Sequence, residues 1–131
     1  MLTNVLSNWF ILAPVRLDGT GSSAAEGYIS AFNRVTRAWG GVCSNGFDLY
    51  DAHVVCKMLG FETSIEALID TAADDLYGPA PSGSTFTLDN LDCSGHETSI
   101  YDCPVTGELT EYCGATEMAA VKCSKGKSWP I

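Results

Sequence analysis

The chain has 131 residues, 46% of them hydrophobic, and carries 16 acids against 7 bases for a net charge of −9. This length suits one domain with a real core and is short for two, while the charge leaves nothing to release counterions from a phosphate backbone and so excludes nucleic acid as a partner. Six cysteines without a single Cys-x-x-Cys argue against a zinc ribbon or a thioredoxin-like redox pair, and for disulfides formed in an oxidising, exported setting.

At the N-terminus, MLTNVLSNWFILAPV has an apolar run from Trp9 to Val15 with no basic n-region and no Ala-x-Ala cleavage site. The run is too short to cross a bilayer. Residues 1–14 are expected to form a leader or a strap packed on the domain, because Trp9, Phe10, Ile11 and Leu12 would otherwise expose much apolar area. The domain proper is expected over 15–124, followed by a tail at 125–131. PVRLDG and EGYISAF read as strands joined by a Gly-rich turn over Gly19 to Ser23, and TRAWGGVC as a third strand. GTGSSA, Gly19 to Ala24, matches a dinucleotide-binding glycine pattern in form, but a strand follows where a phosphate-binding helix is required, so it is read as a turn. Trp39, before Gly40 and Gly41, is read as core or sheet-edge packing.

The clearest element is the helix in DLYDAHVVCKMLG. Asp48 is its N-cap, Asp51 its third-position capping acid and Gly60 its left-handed stop. Leu49, Ala52, Cys56 and Leu59 recur at helical spacing, which puts Cys56 on the buried stripe. TSIEALID fits a strand or a helical turn equally, and DTAADDLYGPAPSGS reads as a polar Pro/Gly-rich loop. In STFTLDNLDC, Phe86 and Leu88 share a register, and Leu91 and Cys93 share another after a slip at Asp89–Asn90, which predicts a bulge or turn. HETSIYDC reads as a short helical turn. EMAAVKC alternates as a strand, with Ala119, Val121 and Cys123 facing inward and Ala120 and Lys122 on the other face. Cys56 and Cys123, both aimed at one core, are therefore natural partners; their bridge spans 67 positions and is worth ~4 kcal/mol by chain entropy. The fold class predicted is α+β: a small disulfide-stapled domain whose curved, antiparallel-rich sheet cradles one main helix.

Taken together, VRLDG, EGYISAF, WGGVCSNGFDLYDAHVVCKMLGF, LDNLDCSGHETSIYDC, EYCG and AAVKC resemble the scavenger receptor cysteine-rich domain, from Val15 to Ser124. Ala25 and Phe61 stand where two cysteines of the eight-cysteine form would fall, so the chain resembles the six-cysteine, group A form. The resemblance implies the pairing Cys43–Cys113, Cys56–Cys123 and Cys93–Cys103. Only the second of these follows from the residues themselves.

The resemblance also implies a calcium or magnesium site made by an acidic pair after the first cysteine and a glutamate between the third and fourth. Glu97 matches that glutamate, but Ser44 and Asn45 replace the acidic pair, and two neutral groups in place of carboxylates weaken a hard-cation site. Asp89, Asn90 and Asp92, with Asp48 or Asp51 as possible neighbours, form a second candidate cluster; its ordinary alternative is a solvated acidic turn. His53 and His96 have no nucleophile context and are read as surface or packing residues, so no catalytic residue is assigned. Two functions are expected. One is a non-enzymatic binding module of the cell exterior, a cell-surface ectodomain or an oxidising lumen, recognising proteins or polyanions with a weak calcium or magnesium contribution at most. The other is an assembly subunit docked on a larger exported complex through the N-terminal strap and the Trp129–Pro130 tail. Polyanion binding has thin support, because the bases are scattered and only Arg34–Arg37 and Lys122–Lys127 form small groups.

Overall fold

A computed structural model describes residues 14–80, 85–105, 113 and 117–124. The strap expected before Pro14, the tail at 125–131 and most of the stretch around Cys113 lie outside them. Strands β1 (Val15–Ser23), β2 (Glu26–Asn33) and β3 (Ala38–Val42) form an antiparallel meander. β1 lies along one edge of β2. The other edge is divided, with β3 paired to its C-terminal half (Ser30 opposite Gly41) and β6 (Ala120–Cys123) to its N-terminal half (Glu26 opposite Lys122). Dividing one strand between two partners curls the sheet. β4 (Ser64–Leu68) extends it antiparallel to β6, and β5 (Phe86–Leu88) joins β3 in parallel, so the sheet is mixed.

The turn expected over Gly19 to Ser23 is instead the end of β1, and the chain reverses at Ala24–Ala25. Gly19 takes φ +125°, open to glycine, and its carbonyl accepts from Ser22 Oγ at 2.8 Å; the register slips between Asp18 and Ser23, so the strand continues through a bulge.

Helix α1 (Leu49–Met58) starts and stops as expected. The Asp48 carboxylate accepts from the Tyr50 and Asp51 N–H groups, Asp51 reaches back to the Asp48 N–H, and Gly60 turns the chain at φ +95°. Its buried face is Asp51, Ala52, Val54, Val55 and Cys56, whereas Leu49 is 53% exposed. The buried stripe is shifted from the one read from spacing: it takes in Val54 and Val55, and also Asp51, whose carboxylate accepts from two backbone N–H donors. α1 packs on β4 and β6, and its apolar face joins Ile29, Ala31, Val42, Phe47, Phe61, Leu91, Ile100 and Val121 in the main core.

A second helix, α2 (Asp70–Tyr77), occupies the stretch read as a polar loop. Only Ala73 and Tyr77, one turn apart, are buried, which is too thin a stripe to stand out among its three aspartates. These two pack with Tyr28, Leu68, Met118 and Ala120 into a second core on the opposite face of the sheet from α1. Ala120, expected on the face opposite Ala119, Val121 and Cys123, is fully buried in this second core. The remaining ambiguities resolve as a strand for Ser64–Leu68 and a single 3₁₀ turn at Ile100–Asp102 capped by Ser99.

Candidate functional site

Three disulfides fix the frame: Cys43–Cys113, Cys56–Cys123 and Cys93–Cys103, the pairing the resemblance implies. Cys56–Cys123 joins α1 to β6, and the Cys93–Cys103 loop hangs on α1 by a second, non-covalent tie. Asp51, fully buried, accepts from Cys93 N at 2.8 Å through one carboxylate oxygen and from Asp48 N at 2.8 Å through the other. Burial pushes the Asp51 carboxyl up to about 7, against those two N–H donors, which favour the charged form.

The residues expected to hold a cation are placed as follows. Ser44 is buried and its hydroxyl donates to Asp70 Oδ1 at 3.3 Å, at the start of α2. Glu97 folds onto its own loop, accepting from Ser94 N, Ser94 Oγ and Gly95 N at 3.0 to 3.1 Å, and those N–H groups hold its carboxyl below the usual range. Ser44, Asn45 and Glu97 therefore supply a single carboxylate, already engaged, and do not fit a hard cation that needs several free oxygens. Asn90 sits at φ +53° against Gly46, so the turn expected at Asp89–Asn90 reaches the loop after Cys43. Asp89 is buried and Asp92 exposed, and the two carboxylates occupy different environments. Among the described residues, the one grouping of three potential ligand side chains is Cys93, Glu97 and Cys103, and both of its sulfurs are spent in a disulfide.

A groove of about 470 Å³ that was not anticipated opens between α1, the start of β4 and the Cys93–Cys103 loop. His53, Lys57 and His96 line it together with Leu49 and Tyr50. The Lys57 ammonium donates to Gly95 O at 3.1 Å, and His53 Nδ1 lies 3.0 Å from Thr63 Oγ1. Burial, then the charges of Lys57 and His96, lower the His53 pKa. Tyr50, His53 and Lys57 at helical spacing were a visible signal. The approach of His96, from a distant loop, was not.

On the sheet, Arg16 stacks 4.1 Å over Trp39, which meets Phe32 edge-on; just past the end of β2, Arg34 stacks 4.7 Å over Tyr101 of the 3₁₀ turn. Trp39 is half-buried, in keeping with a sheet-packing role, and Arg16 also contacts Asp18.

Among the described residues no helix is long and apolar enough to cross a membrane. Comparison with known proteins matches residues 19–124 to the scavenger receptor cysteine-rich domain. Galectin-3-binding protein of Rattus norvegicus is 39% identical over 104 residues, covering 79% of this chain and 17% of that protein. T-cell differentiation antigen CD6 of Mus musculus is 37% identical over 112 residues, covering 85% of this chain and 15% of that protein. The chain thus spans about a sixth of the length of these curated relatives. Among solved structures, the third such domain of murine neurotrypsin superposes with a TM-score of 0.70 at 28% identity, covering 84% of this chain and 94% of that one. With a family match over most of its length and three disulfides from six cysteines, the chain belongs to the scavenger receptor cysteine-rich domain family, in its group A form.

Proposed function

We propose that the chain is a non-enzymatic recognition module, working in an extracellular or oxidising lumenal setting, that binds a protein partner. The observation that carries this reading is a covalently stapled frame that holds exposed apolar side chains, Leu49 and Tyr50, beside a groove with cationic and imidazole groups. The relatives support it: one is named for binding galectin-3 and another is a T-cell differentiation antigen. Polyanion binding is the weaker form of the reading, because Arg16 and Arg34 are each committed to an aromatic ring rather than gathered. Cation assistance enters only as a weak, millimolar contribution. The apolar run at Trp9 to Leu12 supports a second reading, an assembly subunit held on a larger complex. Cross-linking and co-purification from the native source separate the two. A partner captured by cross-linking but lost on dilution supports the recognition module, a stoichiometric partner that survives purification supports the subunit, and no partner by either route refutes both.

A further inference from the structure

The surface of this acidic chain is uneven at the groove. Its lining includes Lys57, His53 and His96 and contains no Asp or Glu, in a chain with 16 acids and 7 lysines and arginines. Lys57 is held across the groove by its bond to Gly95 O, which uses one of three N–H donors; among the described residues its ammonium makes no ion pair. His53 stands one turn earlier on α1, with Nδ1 on Thr63, which leaves Nε2 as its other ring nitrogen. Leu49 and Tyr50, 53% and 62% exposed, add apolar surface to the same lining. The nearest loop carboxylate, Glu97, does not line the groove and is engaged by the Ser94 and Gly95 N–H groups of its own loop. A recess whose lining carries Lys57 and two imidazoles beside apolar side chains complements a carboxylate that sits next to an apolar residue.

We propose that this groove docks an acidic segment of a protein partner, with one Asp or Glu carboxylate seated among Lys57, His53 and His96 and a neighbouring apolar side chain laid on Leu49 and Tyr50. The inference rests on the recognition-module reading and gives the partner a chemistry.

The test titrates the isotope-labelled, disulfide-intact chain by NMR with an acetylated and amidated hexapeptide, Asp-Glu-Leu-Asp-Glu-Leu. Its amide counterpart, Asn-Gln-Leu-Asn-Gln-Leu, and a sulfated tetrasaccharide are run alongside. The acidic peptide should give saturable shifts at Tyr50, His53, Lys57 and His96 that the amide peptide does not. Lys57→Gln and, independently, His96→Gln should each weaken binding, Lys57→Gln by about tenfold, the cost of one charge-assisted hydrogen bond. Lys122→Gln, whose lysine already pairs with Glu66, should leave it unchanged. No shift, equal shifts with both peptides, indifference to both groove variants, or tighter binding of the tetrasaccharide at these residues would each overturn the assignment. If cross-linking still captures a protein partner while the groove stays silent, the assignment fails and the recognition-module reading survives; if no partner is captured, that reading fails by its own test.

Discussion

Asp51 is the residue on which helix, loop and titration meet. Its carboxyl sits fully inside the domain between the N–H groups of Asp48 and Cys93, and burial raises its pKa from 3.8 to about 7. A carboxyl whose folded pKa lies above its unfolded one stabilises the fold below the unfolded value, and this contribution fades as the pH rises through the folded value. Asp51 therefore favours folding near pH 4 and loses that advantage by pH 7 to 8, on the order of a few kcal/mol. Denaturant titrations across that range should show the loss in the native chain and a visibly flatter profile in Asp51→Asn. The variant should also start about 1 to 3 kcal/mol lower, because its amide NH₂ meets an N–H donor. Equal slopes in both chains would show that Asp51 does not titrate in this window. At the neighbouring loop, Ser44, Asn45 and Glu97 predict calorimetric heats with calcium only in the millimolar range or none, unaltered by Glu97→Gln. Micromolar affinity lost in that variant would contradict the placement of Glu97 on its own loop.

Among the elements, α1 was legible because its signals are local: Asp48, Asp51 and Gly60 act within one turn of the helix ends. Asp48→Ala should cost about 1 kcal/mol or somewhat more, read as a fall in the denaturant midpoint with an unchanged slope. The second helix was missed for the opposite reason. Its two buried residues, Ala73 and Tyr77, matter only because Tyr28 and Ala120 from distant strands, with Leu68 at the end of β4, meet them, and nothing in DTAADDLY announces that meeting. The bulge at Gly19 was hidden similarly, since a Gly/Ser run reads as a turn unless the pairing of Ser23 with Glu26 is known. Tyr77→Ala tests the second core. With Tyr77 1% exposed, the expected loss is about 3 to 5 kcal/mol by analogy with other large-to-small aromatic deletions. A loss below 1 kcal/mol would mean that α2 is an ornament on the sheet and not part of its core.

At the scale of the whole molecule, two cores lie on opposite faces of one curled sheet, and three disulfides staple the domain; two of them close long separations of 70 and 67 residues, and Cys56–Cys123 and Cys93–Cys103 lie within the first core. Inward-facing Cys56 and Cys123 were readable from helical and strand periods. The other bridges were not, because they join loops whose mutual approach depends on the completed fold. The groove belongs to the same class of feature: α1 supplies Tyr50, His53 and Lys57, and the Cys93–Cys103 loop supplies His96 only once Asp51 and the disulfide have set that loop against the helix. If the frame positions the recognition surface, everything rests on the cysteine pairing. Reduction should cost on the order of 2 to 5 kcal/mol per bridge and unfold the domain at body temperature. The most direct measurement is peptide mapping of the unreduced chain after blocking free thiols. The account predicts three linked peptide pairs, Cys43 with Cys113, Cys56 with Cys123 and Cys93 with Cys103, and no blocked thiol; a free Cys56 or Cys123, or either one linked to another partner, would contradict it.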